Sequence, residues 1–189
     1  LEPGDIVSID AGAQYRGWNG DSAITVVVPD PSRPELVAAR RRLSEVTEGS
    51  LWAGIAALAH ASHVAEVDAV QSHIEASGEG YGILRDYVGH GIGRKMHEAP
   101  SVFNYRVADL GPQVRPGLCL ALEPMVVAGS ESTLVEDDDW TVSTVDGGDG
   151  SHWEHSVAVH DEGIWVLTAP DGGAAGLAPF GVVPVPIGS

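Results

Sequence analysis

Residues 4–28 read GDIVSIDAGAQYRGWNGDSAITVVV. Two runs rich in β-branched residues, 5–11 and 22–28, flank the segment Arg16-Gly17-Trp18-Asn19-Gly20, which carries turn chemistry. The pattern predicts a β-hairpin with Asp10 and Asp21 near its open and turn-side positions. An aspartate at a strand end is most often a turn or capping residue. Asp10, however, closes the apolar run Ile6-Val7-Ser8-Ile9, with Arg16 the one cation close in sequence. An ionised carboxylate is therefore expected there beside buried apolar surface, and a metal ion would supply its counter-charge.

Beyond the hairpin, Pro29, Pro31 and Pro34 break the chain. A long helix is predicted from Glu35 to about Leu58, with Leu36, Ala39, Leu43, Val46, Leu51, Ile55 and Leu58 at helical spacing. A second amphipathic helix is expected over about 64–77, its stripe formed by Val64, Val67, Val70 and Ile74 and its end marked by Gly78 and Gly80. From Tyr81 onward the period returns to that of strands, over 83–88, 119–127, 134–135, 141–145, 152–160 and 164–168. Two helices among antiparallel strand pairs indicate an α+β domain with its sheet covered on one face. The stretch 169–189 is rich in Gly, Ala and Pro without periodicity and reads as an extended tail.

A length of 189 residues with 43% apolar composition suits one sizeable core, so a single compact domain is expected, ahead of the tail at 169–189. The 27 acidic against 10 basic residues give a formal charge of −17, which disfavours nucleic acid and anionic lipid as partners. A solvated acidic surface accounts for most of that charge, although two dications would neutralise four carboxylates gathered in one site. The single cysteine, Cys119 between Leu118 and Leu120, cannot form an internal disulfide and is expected to be a buried strand thiol in a reducing cytoplasm. No unbroken apolar segment is long enough to span a bilayer, and no secretory leader is evident. The chain opens at Leu1 directly before a strand and lacks an initiator Met, which suggests that a longer polypeptide extends upstream.

Three further stretches carry candidate chemistry. Residues 89–98, Gly89-His90-Gly91-Ile92-Gly93-Arg94-Lys95-Met96-His97-Glu98, interleave three glycines with two histidines seven apart. Glycines permit close backbone approach, and the histidine pair suggests one metal ligand and one second catalytic group. A phosphate-cradling loop is disfavoured by the acidic charge and by the lack of a Gly-Lys-Ser/Thr ending. Glu123 follows an apolar strand and Glu154 opens another, positions where glutamates are rare unless paired or metal-bound. Asp10, Asp21, His90, Glu123 and Glu154 together form a hard ligand set suited to a pair of divalent cations, a site that would activate water and polarise a carbonyl.

In these same stretches, together with Leu122-Glu123-Pro124-Met125, Asp139-Trp140-Thr141-Val142 and Trp153-Glu154-His155-Ser156, the chain resembles type I methionine aminopeptidases. The resemblance covers residues 1 to about 168 in both order and separation. It implies the pita-bread (creatinase/aminopeptidase) fold, an antiparallel curved sheet covered by helices, here N-terminally truncated. It also implies two divalent ions (Co, Mn, Fe or Zn). Asp10 would bind one, His90 and Glu123 the other, and Asp21 and Glu154 would bridge them. By the same resemblance a bridging hydroxide attacks the first peptide carbonyl and Glu123 shuttles the proton. His97 would hydrogen-bond the carbonyl oxygen or tetrahedral intermediate, while Met96, His97 and Trp140 line the substrate side. Met96 stands where an aromatic residue is common, and Asp139 where a Gly is usual. The implied partners are the N-terminal Met peptides of nascent proteins, with the ribosome as a further contact and a monomer as the working unit. The family's N-terminal segment, which supplies part of its sheet and methionine pocket, has no counterpart before Leu1.

Two other readings use the same residues. X-Pro aminopeptidases and dipeptidases of this fold share the five ligands, but Pro124-Met125 and Trp140-Thr141-Val142 favour the methionine enzyme. A non-catalytic pita-bread binding module would be expected to lose ligands, whereas all five are retained.

Overall fold

The computed structural model describes residues 1–188. Four strands come first: β1 (Ile6–Asp10), β2 (Ala13–Tyr15), β3 (Trp18–Gly20) and β4 (Ser22–Val27). The long helix α1 (Pro34–Leu58) follows, with Pro34 in its first turn, where a missing N–H costs nothing. A 3₁₀ turn (Val64–Asp68) leads into α2 (Ala69–Ala76). The second half holds β5 (Gly82–Ile83), β6 (Gly89–Gly91), β7 (Glu98–Val102), β8 (Cys119–Leu122), β9 (Met125–Val127), β10 (Thr133–Val135), β11 (Val142–Thr144), β12 (Gly150–His152), β13 (Glu154–His160) and β14 (Gly163–Val166). A short helix, α3 (Ala174–Leu177), lies near the C-terminal end.

The main sheet runs β1-β4-β13-β8-β6-β7, with β14 also paired to β13, and every pairing in it is antiparallel. A three-stranded sheet, β12-β9-β5, lies beside it. Side chains alternate between the faces of a strand. One face of the main sheet presents Leu120, Leu122, Val157, Ile164 and Val166, which pack with Leu51, Ile55 and Leu58 of α1 into the larger core. Val46 of α1 joins Val70 and Ile74 of α2 in a second cluster. The opposite face of the sheet is left for chemistry.

The expected hairpin forms as β1 against β4, register Asp10↔Ala23 to Ile6↔Val27, with the small β2–β3 hairpin inserted at its turn. The first helix occurs where the apolar spacing places it; of the second, predicted over 64–77, only 69–76 is α-helical, and Val64 and Val67 sit in the preceding 3₁₀ turn, although all four stripe residues are buried. The first turn of α1 departs from its predicted stripe, burying Val37 while Ala39 is exposed. Three predicted strands are interrupted. The stretch 119–127 divides at Glu123-Pro124 into β8 and β9, which belong to different sheets. The stretch 83–88 turns at Arg85–Asp86, and 152–160 divides at Trp153 into β12 and β13, which belong to different sheets. Cys119 lies in β8 but is half-buried. The C-terminal stretch is not extended throughout: its glycines at 172 and 173 adopt positive φ and turn the chain into α3, whose Leu177 is fully buried in the larger core. Ala169 and Val182 pack against the same core, and the Val185 N–H donates to the Ile164 carbonyl, so burial and hydrogen bonding order a segment without sequence periodicity.

Candidate metal centre

Register brings the candidate ligands together. Asp10 on β1 pairs with Ala23 on β4, and Ala23 pairs with Glu154 on β13. One step along, Ser156 pairs with Ala121 on β8, and Ala121 pairs with His90 on β6. Residues two apart share a face, so Asp21 follows Ala23 and Glu123 follows Ala121 onto this same surface. Five strands thus deliver Asp10, Asp21, His90, Glu123 and Glu154 to one face, separated by the small side chains of Ala23 and Ala121. His155, between two site-facing residues, points the other way, against Trp52 with ring centroids 4.8 Å apart. Burial lowers its pKa to about 4.

Hydrogen bonds outside the cluster hold it in place. The Asp21 N–H donates to Ser156 Oγ at 3.0 Å, and the Ser156 hydroxyl donates to the Asp21 carbonyl at 2.8 Å. His90 Nδ1 lies 2.9 Å from the Gly91 carbonyl oxygen, an acceptor only, so Nδ1 carries the proton and Nε2 presents its lone pair to the site. Nε2 is 3.3 Å from Glu123 Oε1. The glycines of this loop answer to packing rather than to phosphate. A Cβ at Gly91 would collide with the Ala99 carbonyl oxygen, and one at Gly89 with that of Ala121. Backbone cannot rotate aside as a side chain can, so Gly91→Ala should cost about 1–3 kcal/mol. The measurement is Tm, expected to fall by roughly 3–10 °C; an unchanged Tm would show that the strands have room to spread.

Asp21, His90 and Glu154 are all buried and offer donor atoms within 4.8 Å of one another. Asp10, His152 and Glu154 also offer donor atoms within 4.8 Å of one another, with Asp10 exposed and the other two buried, so the two groups share Glu154. Glu154 is only 2% exposed, and its Oε1 is shielded without a hydrogen-bond partner among the described residues. Burial raises the Glu154 pKa, with Asp21 and Asp10 adding to the effect and His152 opposing it. Burial likewise pushes Glu123 up to about 8, reinforced by the charges of Glu154, Asp21 and Asp10. Negative groups crowded without a cation, one of them with an orphaned buried oxygen, form a donor set that fits divalent metal.

Asp10 departs from its predicted setting: its side chain is 57% exposed and Ile9 is exposed beside it, because β1 is an edge strand. Met96 and His97 lie next to the cluster. The His97 ring is 4.5 Å from that of His90, edge to face, and a Cβ at Gly12 would collide with the Met96 Cε methyl and lie 3.3 Å from Asp21 Oδ1. Their loop is clamped by Asn19, whose N–H and Nδ2 both donate to the Gly93 carbonyl at 2.9 Å, and by Arg94 over the Trp18 ring at 3.9 Å. Trp140 is not enclosed: it lies between β10 and β11, 87% exposed. A groove of about 780 Å³ among Glu48, Trp52, His73, His155 and Phe180 contains none of the candidate ligands. His152 was absent from the predicted ligand set, although its place two residues before Glu154 is the signal that could have raised it.

The model of metallopeptidase family M24 matches residues 1–161. This chain belongs to metallopeptidase family M24. The M24 chain is 45% identical over 173 residues to methionine aminopeptidase 1 of Mycobacterium tuberculosis, covering 89% of this chain and 63% of that protein. Methionine aminopeptidase 1 of Bacillus subtilis is 40% identical over 169 residues, covering 89% and 65%. The M24 chain therefore spans less than two thirds of the length of these curated relatives. Among solved structures, a methionine aminopeptidase from Thermotoga maritima matches with TM-score 0.79 and 37% identity over 89% of this chain and 65% of that one. A prolidase from Pyrococcus furiosus matches at TM-score 0.62 and 24% identity, over 89% and 42%, a likeness of fold alone. The curved antiparallel sheet with its helices is the pita-bread fold of these proteins.

Proposed function

We propose that this chain is the metal-binding part of a two-metal aminopeptidase that removes the N-terminal methionine of nascent proteins. The observation that carries the reading is the pair of donor groups sharing buried Glu154, an arrangement suited to two adjacent cations. The 45% identity to a methionine aminopeptidase, against 24% to a prolidase, supports methionine over X-Pro substrates.

In this reading Asp10 holds one cation, His90 and Glu123 the other, and Asp21 and Glu154 serve both. When bound, the two ions (Co, Mn, Fe or Zn) supply an acidified water and a polarised substrate carbonyl. Glu123, beside His90, would take a proton from the attacking water and return it to the departing amine. His97 donates a hydrogen bond to the carbonyl oxygen as negative charge develops there. Met96, seated against Gly12, forms part of the methionine pocket, whereas Trp140, exposed between β10 and β11, would reach the substrate only from the solvent side.

His97→Ala should lower kcat/KM by about 10²–10³, as expected for one lost oxyanion donor, with metal content unchanged. Loss of metal would make His97 a ligand instead. The substrate assignment is tested by offering Met-Ala-Ser and Ala-Pro-Ala to the protein with Co²⁺ or Mn²⁺. Cleavage of the first alone is expected. Cleavage of only the second would identify an X-Pro peptidase, and metal binding without cleavage of either would favour a non-catalytic module.

A further inference from the structure

We propose that His152 is a sixth protein ligand, binding through Nε2 the cation held by Asp10 and Glu154. The inference rests on the two-cation reading above and extends its ligand set by one imidazole.

His152 Nε2 lies 3.8 Å from Asp10 Oδ2 and 3.8 Å from Glu154 Oε2. Both distances are too long for a hydrogen bond. Two donors each about 2.1 Å from one ion stand roughly 3.0–4.2 Å apart, depending on the angle between them, so both distances suit a shared cation. His152 is 8% exposed, and both of its ring nitrogens are shielded without a hydrogen-bond partner among the described residues. A buried polar atom left unpaired costs about 1–3 kcal/mol, and an imidazole used only to fill space would be better replaced by carbon. A cation between the three side chains satisfies Nε2 and gives half-exposed Asp10 a second anchor.

The position of this imidazole is built from several strands. The His152 N–H donates to Thr25 Oγ1 at 3.0 Å and to Ser8 Oγ at 3.2 Å, and the Thr25 hydroxyl donates to the His152 carbonyl at 2.6 Å. Ser8 and Thr25 are themselves linked, Oγ to Oγ1, at 2.8 Å and pair across β1 and β4. From the other side β12 pairs with β9, register His152↔Met125. The division of the strand at Trp153 puts His152 in one sheet and Glu154 in the other, and their side chains still approach to 3.8 Å. With His152 included, each cation has one imidazole. Nitrogen donors favour Co and Zn over Mn, so the Asp10 position should share the metal preference of the His90 position.

The test is the ¹H NMR spectrum of the protein titrated with Co²⁺ alone, which shifts the exchangeable ring N–H of each ligating histidine far outside the normal range. At two equivalents two such resonances are expected in the unmutated protein, and this count does not depend on any variant folding. His152→Gln should remove one resonance and weaken the second Co²⁺ equivalent at least tenfold, whereas His97→Ala should keep both. Two equivalents bound with a single imidazole resonance would overturn the His152 assignment and leave the two-cation site standing. So would loss of the second resonance in His97→Ala rather than in His152→Gln. Failure to bind a second Co²⁺ would overturn both readings.

Discussion

Glu154→Gln should stabilise the metal-free protein and destabilise the metal-loaded one. In the metal-free form Glu154 is a buried carboxyl with an orphaned oxygen, and Asp21 and Asp10 add to the cost of its charge. The amide keeps its shape and removes that charge, so Tm without metal should rise at neutral pH. With metal, the same change removes the donor common to both groups and leaves a cation imperfectly paired, a loss of about 3–5 kcal/mol or roughly 10²–10⁴ in affinity. Peptide cleavage should fall at least as far. Calorimetry with and without Mn²⁺ decides the matter. A fall in Tm of equal size in both forms would mean that Glu154 is part of the core rather than of a metal site.

The second large effect is on pH dependence. Glu123 has its pKa raised to about 8 in the folded, metal-free protein, against an ordinary value of 4.5. Above pH 4.5 the unfolded chain gives up this proton while the folded chain keeps it, so stability falls as pH rises. The contribution is fully present below about 4.5 and lost by about 8. Buried Glu154 shifts in the same direction and steepens the loss. Metal binds the deprotonated carboxylates, so its affinity should rise across the same window and offset the fall. Expected, then, is a metal-free Tm that drops between pH 5 and 8 and a smaller drop with saturating Mn²⁺. A flat metal-free profile would show that Glu123 is solvated in solution, contrary to its position beside His90.

Much of this was legible in the sequence because it depends on local pattern. Two β-branched runs around a turn gave the β1–β4 pairing, and spacing of three and four gave both helices. What escaped depends on neighbours distant along the chain. Asp10 follows an apolar run, but β1 is an edge strand, so that run does not enclose its carboxylate. Trp140 is apolar and was expected to line a pocket, yet its hairpin leaves it in solvent. Leu177 sits in a segment without periodicity and is buried because two positive-φ glycines turn it inward. His152 falls within the predicted strand 152–160, and its convergence with Asp10 depends on β12 pairing with β9 in a separate sheet, a neighbour distant along the chain.

In the proposed site, one face of the sheet holds two cations around Glu154. Its most direct test is a crystal of the protein grown with Mn²⁺ and measured near the manganese edge. Two anomalous peaks are expected about 3.5–4 Å apart, with Glu154 touching both, His90 on one side and Asp10 on the other. A single peak, or peaks away from these residues, would contradict it.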